Sequence, residues 1–219
     1  MAFPIRFCLC AVVLLEVGIK AANPLPLAIQ DGFQIGGAPG GDQLIAIGSD
    51  AAGNVYLAGR TYGGVLPFIN ETTIGPLGGG TDIFVVKVAA ATWQLLWVTA
   101  IGGSNTEQPS AMVVDSAGNV YLAGGTLSAD FPTTAGSLQP KATQGGAFLL
   151  KLNSFGQLAY STYLDDSTYT SALALVIDTN GNAYIAGGTD GHTFPTTPGA
   201  YRTDIPTSSK FTTSVGFAP

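Results

Sequence analysis

The stretch Asp50-Ala-Ala-Gly-Asn-Val-Tyr-Leu-Ala-Gly59 occurs three times in this chain with few changes. It returns as Asp115-Ser-Ala-Gly-Asn-Val-Tyr-Leu-Ala-Gly124 and as Asp178-Thr-Asn-Gly-Asn-Ala-Tyr-Ile-Ala-Gly187. The starts at Asp50, Asp115 and Asp178 are almost evenly spaced along the chain. Such a regular spacing indicates a protein built from repeated structural units.

Two further motifs share this period. Asp82-Ile-Phe-Val-Val-Lys-Val88 corresponds to Gly146-Ala-Phe-Leu-Leu-Lys-Leu152, which places Lys87 and Lys151 at equivalent positions. Asp130-Phe-Pro-Thr-Thr-Ala-Gly136 corresponds to Thr193-Phe-Pro-Thr-Thr-Pro-Gly199. Three motifs in one order at one spacing define a unit of about 64 residues.

Each unit is predicted to form two β-hairpins. In the second unit, residues 111–115 and 119–124 form the first pair of strands, and residues 148–152 and 158–164 form the second pair. Four antiparallel strands per unit are typical of a β-propeller blade. A β-solenoid and a β-sandwich remain alternatives, although solenoid coils are usually shorter and a sandwich needs no repeat.

The acidic residue of each ten-residue copy is predicted to build a turn, not to bind a ligand. An aspartate there can accept backbone N–H bonds, and the glycine supplies the positive φ that such turns need. A calcium loop starting at Asp178 is disfavoured, because Ala183 and Thr189 stand where an EF-hand needs glycine and an acid. The predicted structural turn residues are Asp50, Gly53, Asn54, Asp115, Gly118, Asn119, Asp178, Gly181 and Asn182.

These motifs resemble the bacterial SBBP-type β-propeller repeat over roughly residues 31–202. The resemblance rests on the Asp-x-x-Gly-Asn hairpin, on Phe194-Pro-Thr-Thr-Pro-Gly-Ala-Tyr201, and on Lys151-Leu-Asn-Ser-Phe-Gly156 followed by Tyr160-Ser-Thr-Tyr-Leu164. It implies a multi-bladed propeller in secreted or surface proteins, with no shared catalytic residues. Two departures are Asp165-Asp166 in place of the Gly102-Gly103 pair, and the lack of a third-strand motif after Tyr201.

The predicted fold is therefore all-β, a partial β-propeller of about two and a half antiparallel, four-stranded, blade-like units. Propellers close with about 4–8 blades, so this number does not complete a ring. Three explanations stay open: a truncated derivative of a larger protein, self-association that completes a ring, and an open stacked array. The predicted segments are a signal peptide at 1–22, a lead-in containing the end of a preceding strand at 23–42, unit 1 at 43–109, unit 2 at 110–170, and an incomplete unit 3 with a divergent tail at 171–219.

The N-terminus predicts secretion to the cell surface, the periplasm or the medium. Arg6 precedes an apolar run over residues 7–15, and the small residues Ala21 and Ala22 offer a cleavage site. An uncleaved amphipathic segment is the alternative, because Glu16 and Lys20 carry charges. The run is too short to cross a bilayer, which takes about 20 residues, so no membrane span is predicted.

Composition excludes several classes of function. The chain has 8 Lys+Arg against 14 Asp+Glu, with a net charge of −6, so it cannot present the basic surface that nucleic acids require. Its two cysteines, Cys8 and Cys10, both lie near the N-terminus, so the repeats have neither a disulfide framework nor a thiolate metal site.

No catalytic, cofactor-binding or metal-binding residue is predicted. His192 is the single histidine and has no nucleophile or acid at a defined spacing. Asp165 and Asp166, with Glu107 and Asp130 near them in the repeat frame, could suggest glycoside hydrolysis, but adjacent strand residues usually point apart. Aromatic residues on the fourth strands or in the turns before them could stack on sugars and are more typical of packing between blades: Trp93, Trp97, Tyr160 and Tyr163.

The sequence leaves three hypotheses about function. The first is a non-enzymatic scaffold or interaction module that binds an unknown protein or carbohydrate partner through the variable loops 62–80 and 125–145. The second is a carbohydrate-binding or carbohydrate-active propeller. The third is a remnant of a larger propeller, without a function of its own.

Overall fold

The computed structural model describes residues 41–62, 71–164, 170–190, 194–196, 198 and 200, and the backbone of 211–217. In these ranges the regular structure is entirely β-strand, as the alternation of apolar runs with glycine turns predicts. The strands are β1 (Asp42–Ser49), β2 (Val55–Thr61), β3 (Thr72–Ile74), β4 (Asp82–Val88), β5 (Leu95–Ile101), β6 (Glu107–Val114), β7 (Val120–Thr126), β8 (Gly146–Leu152), β9 (Leu158–Leu164), β10 (Thr170–Ile177), β11 (Ala183–Thr189) and β12 (Phe211–Phe217).

The strands form three separate sheets that follow one another along the chain. Their orders are β1-β2-β4-β5-β3, β6-β7-β8-β9 and β10-β11-β12. Apart from β3, every pairing is between antiparallel strands that succeed one another. The first strand of the second sheet, β6, packs beside both β1 and β10. This is the arrangement of successive propeller blades, and it confirms the predicted fold class.

The third sheet differs from the sequence-based expectation. No third-strand motif was expected after Tyr201, yet β12 pairs with β11 along its whole length, from Phe211 opposite Thr189 to Phe217 opposite Ala183. The prediction was wrong because a β-ladder joins main-chain groups, so a strand without the Phe-apolar-Lys motif can still take that position.

Two smaller features were also not anticipated. Strand β3 lies within the loop expected over residues 62–80 and pairs in parallel with the outer edge of β5. Strand β6 begins at Glu107, inside the segment 43–109 that was assigned to unit 1. The second sheet therefore begins slightly earlier than the sequence repeat suggested.

A β-bulge recurs in the first strand of each sheet and explains the Ala-Gly pairs of the repeat. The pairing register shifts at Leu44/Ala46, at Pro109/Ala111 and at Ala172/Ala174. Each bulge brings a main-chain carbonyl against the facing glycine. A Cβ atom on Gly59, Gly124 or Gly187 would lie 2.1–2.2 Å from that oxygen, so only glycine fits.

The core lies between the sheets. Tyr56, Ala58 and Val85 of the first sheet pack against Leu122 and Leu150 of the second. A second cluster joins the second and third sheets. Because both faces of a blade are covered, β4 is buried at all seven positions, which accounts for its continuous apolar sequence.

Candidate functional site

The three Asp-x-x-Gly-Asn turns have the same hydrogen bonds. Asp50 Oδ1 accepts from the main-chain N–H groups of Ala52 (3.0 Å) and Asn54 (2.9 Å), and Asp50 Oδ2 accepts from Asn54 Nδ2 (2.8 Å). Gly53 has φ of +82°, a conformation that favours glycine. Asp115 and Asp178 accept the equivalent bonds in their own turns.

The first turn also contacts the turn of the second sheet through Tyr56. The Tyr56 hydroxyl lies 3.0 Å from Asp50 Oδ2 and 3.2 Å from the main-chain oxygen of Gly118, within donating distance of both. Lys87 Nζ is 3.5 Å from Asp50 Oδ2 and lies over the Tyr56 ring. Burial opposes ionisation of Asp50, but hydrogen bonds from Asn54 and Tyr56 and the Lys87 charge outweigh it and lower its pKa.

Replacing Tyr56 with phenylalanine is expected to lower the free energy of unfolding by about 1–2 kcal/mol, because the single hydroxyl proton shared between Asp50 Oδ2 and the Gly118 carbonyl is lost. Urea denaturation at low protein concentration measures the effect. Tyr184→Phe is the matched control, since its exposed hydroxyl donates to Asp178 within the same turn. An equal loss in both variants would contradict a contact between sheets.

A buried carboxyl pair lies at the opposite end of the first two sheets. Asp82 begins β4, Glu107 begins β6, and both are fully buried. A Cβ on Gly102 would lie 1.9 Å from Asp82 Oδ1 and 2.9 Å from Glu107 Oε2, so the two carboxyl groups occupy the space beside this glycine. The pair therefore explains the first glycine of Gly102-Gly103.

The partners of the two carboxyl groups differ sharply. Glu107 Oε1 accepts from Thr126 Oγ1 (2.7 Å) and Ser128 Oγ (2.6 Å), and Glu107 Oε2 accepts from the Gly103 N–H (3.2 Å). Among the described residues, no hydrogen bond of good geometry reaches either oxygen of Asp82.

This difference sets the charge of each group. Burial, then the Glu107 charge and a contact with that carboxyl, raise the pKa of Asp82 to about 7. Burial also raises the pKa of Glu107, although its hydrogen bonds oppose the shift. Asp82 is thus the member that holds a proton near neutral pH.

A cleft lies between the second and third sheets, at the strand ends opposite the aspartate turns. Its volume is ≈ 340 Å³. The described residues that line it are uncharged: the side chains of Thr106, Gln108, Ser110, Thr126, Leu127, Gln144, Thr170, Ser171 and Leu173, and the main chain at Gly125, Gly145 and Gly146. Such a lining offers hydrogen bonds in both directions without a net charge.

Comparison with known proteins identifies the repeat. A family model described as SBBP, a beta-propeller repeat, matches residues 96–132. The chain contains an SBBP-type β-propeller repeat. No curated protein matches the sequence. The family match confirms the resemblance expected from the motifs.

The SBBP match runs from β5 through β6 and β7 to Pro132, so it spans the junction of two sheets. It contains the last strand of one blade and the first hairpin of the next. Gly102, Glu107 and the Asp115 turn all lie within it. The SBBP repeat thus includes residues that join blades, as well as residues that build one blade.

The aromatic candidates of the repeat units contribute to packing. Tyr163 is fully buried, and its hydroxyl donates to the Ser128 carbonyl (2.8 Å). Trp97 is half-buried against Tyr56 and donates from Nε1 to the Ser154 carbonyl (3.1 Å). Trp93 and Tyr160 are also partly buried.

Of the four acidic candidates, the structure describes Glu107 and Asp130, and these two have different surroundings. Asp130 is exposed and accepts hydrogen bonds from Ser104, whereas Glu107 is buried beside Asp82. Asp165, Asp166 and His192 lie outside the described residues, as does the predicted signal peptide at 1–22. The carboxyl pair was missed because Asp82 opens a repeated motif whereas Glu107 lies outside all three motifs. The sequence signal that could have revealed the pair is Asp82, a single acidic residue at the start of the largely apolar strand β4.

The described ranges contain neither a metal-binding cluster nor a membrane-spanning helix. No cluster of three or more His, Cys, Asp or Glu side chains suits a metal ion there. The same part of the chain also lacks any helix with the length and apolar character needed to cross a membrane.

Proposed function

We propose that this chain is a secreted, non-enzymatic interaction module that binds a partner in the cleft between its second and third sheets. The observation that carries the proposal is the cleft itself, which has ≈ 340 Å³ of space and is lined, among the residues that the structure describes, by uncharged groups. Concave sites with a few convergent polar groups are where proteins usually bind ligands.

The lining indicates the chemistry of the ligand. Gln108 and Gln144 supply amide donors and acceptors, and Ser110 and Ser171 supply hydroxyl groups. Leu127 and Leu173 are exposed beside them and offer apolar contact. This combination favours an uncharged ligand with polar groups and an apolar face, and a neutral saccharide satisfies both requirements. Carbohydrate binding is therefore the second candidate function.

The cleft also includes residues of the loop 125–145, which the sequence predicts to bind a partner. Leu127, Gln144 and Gly145 belong to the variable loop 125–145, which connects β7 with β8. Binding residues are commonly carried on loops held by a rigid scaffold. Part of the same loop is fixed to the outer strand, because Gln139 N–H donates to Thr162 Oγ1 (2.9 Å).

NMR titration with a panel of neutral oligosaccharides and uncharged peptides tests the proposal. We expect shift changes at the cleft residues and recovery of the ligand unchanged. The double variant Gln108→Ala/Gln144→Ala is expected to weaken binding about 10–30-fold, since two hydrogen bonds of about 1 kcal/mol each are lost.

Gln94→Ala is the matched control, because this exposed glutamine lies in the turn between β4 and β5. It is expected to bind as the wild-type chain does. Binding only to charged ligands, or shift changes away from the cleft, would refute the assignment of the cleft. Conversion of the ligand would refute the non-enzymatic part of the proposal.

A further inference from the structure

The tyrosine of the ten-residue repeat has three different levels of exposure. Tyr56 in the first sheet is 0% exposed and Tyr121 in the second is 4% exposed, whereas Tyr184 in the third is 46% exposed. The three residues occupy the same position in β2, β7 and β11. The difference therefore comes from what lies against each sheet.

The following sheet covers the first two tyrosines with its glycine turn. A Cβ on Gly118 would lie 2.6 Å from the Tyr56 hydroxyl, and a Cβ on Gly181 would lie 3.3 Å from the Tyr121 hydroxyl. The tyrosine hydroxyl thus lies against the glycine of the next turn twice, from the first sheet to the second and from the second to the third, and in the first case it also lies 3.2 Å from the Gly118 carbonyl oxygen. Tyr184 lacks an equivalent turn against it among the described residues.

The face of the third sheet around Tyr184 is equivalent to the face of the second sheet that packs against the third. Ala111, Val113, Tyr121 and Ala123 of the second sheet belong to the core shared with the third sheet. Their equivalents form the trailing strip of the third sheet, defined as Ala174, Val176, Tyr184 and Ala186. Val176 is 61% exposed and Ala174 is also exposed.

The opposite end of the array exposes the complementary residues. Met112, Val114 and Gly118 are the residues through which the second sheet contacts the first. Their equivalents in the first sheet form the leading strip, defined as Ile47, Ser49 and Gly53. All three are exposed, and Ile47 is 61% exposed.

We infer that the trailing strip of one copy binds the leading strip of a second copy, with Tyr184 reaching the Gly53 carbonyl of that second copy. This association would continue a packing that already joins the sheets twice within the chain, with a tyrosine hydroxyl against the glycine of the next turn. The two strips are different surfaces, so the association is head-to-tail and builds rings or linear arrays.

The contact is confined to the inner hairpins. On the leading face of the first sheet, Leu57, Phe84 and Val86 are already buried, and the exposed part of this face among the described residues is the strip near β1. Interfaces of limited area are typically weak, so we expect association that depends on protein concentration. The strips do not overlap the cleft between the second and third sheets, so this inference stands independently of the proposed function.

Sedimentation velocity of the full chain, run over a range of concentrations, tests the inference. The wild-type chain is expected to increase in mass as concentration rises. Val176→Arg blocks the trailing strip and Ile47→Arg blocks the leading strip, and each variant alone is expected to stay a monomer. An equimolar mixture is expected to form a 1:1 dimer, because each variant retains the strip that the other has lost.

Both substituted side chains are exposed, so the variants should fold, and circular dichroism with a thermal melt checks this. A wild-type chain that is monomeric at every concentration overturns the inference. Oligomers that persist in both variants overturn it too. A mixture that fails to dimerise indicates a symmetric interface and equally rejects the head-to-tail contact.

Discussion

Replacing Gly124 with alanine is expected to lower the free energy of unfolding by about 3 kcal/mol, because the added methyl group would overlap main-chain atoms. The added Cβ would lie 2.2 Å from the Gln108 carbonyl oxygen and 2.8 Å from Pro109 Cα. Both atoms belong to the main chain of the bulge in β6, so neither can rotate away. Either the bulge must therefore shift or its pairing with β7 must be disrupted.

The neighbouring glycine provides the control. A Cβ on Gly125 would meet only Ser171 Cβ, at an ordinary contact distance of 3.8 Å. Gly125→Ala is therefore expected to change stability by less than about 0.5 kcal/mol. Urea denaturation of both variants measures the difference. Equal stability of the two variants would show that the bulge does not press on Gly124.

Replacing Asp82 with asparagine is expected to stabilise the protein at pH 8 by about 2–4 kcal/mol. Asparagine keeps the shape of the side chain, removes its charge and can donate to Glu107. The wild-type carboxyl must ionise at pH 8 while buried beside a second carboxylate. Its folded-state pKa is raised to about 7 from a usual value of 3.8.

The sign of the pH dependence follows from the same shift. Between pH 4 and pH 7 the folded state holds a proton on Asp82 that the unfolded state has released, so stability falls as pH rises. The wild-type chain should lose stability across this window and level off above it. Asp82→Asn should show a much weaker dependence, which chemical denaturation at several pH values measures.

Asp130→Asn is the contrasting control for this pair. Asp130 is exposed, and hydrogen bonding from the Ser104 N–H lowers its pKa. Its ionised form is favoured by the fold, so the substitution should leave stability at pH 8 unchanged or lower it. If Asp82→Asn behaved like Asp130→Asn, burial beside Glu107 would not destabilise the ionised Asp82 carboxyl.

The strands and the blade-like sheets were predictable because their signals are local. The three copies of Asp-x-x-Gly-Asn mark three hairpin turns, and the structure has a turn with φ near +82° to +86° at each glycine. The apolar runs between them predict buried strands. The family resemblance was carried by the same motifs.

The features that were missed depend on contacts between distant residues. Asp82 meets Glu107 only because successive sheets stack, and nothing near either residue in sequence indicates a partner. The pairing of β12 was missed because main-chain hydrogen bonding leaves little trace in side-chain identity. The uncharged cleft combines β6, β10 and the 125–145 loop, so it has no local motif.

Amide hydrogen exchange in β6 tests most directly the claim that the chain forms separate blades. In the sheet order β6-β7-β8-β9, β6 is an edge strand with one neighbour, whereas β7 and β8 each have two. We predict slow exchange at successive amides of β7 and β8, but at only alternate amides in the middle of β6. Slow exchange at every amide of β6 would reveal a second neighbouring strand, and would replace the stacked blades with one continuous sheet or barrel.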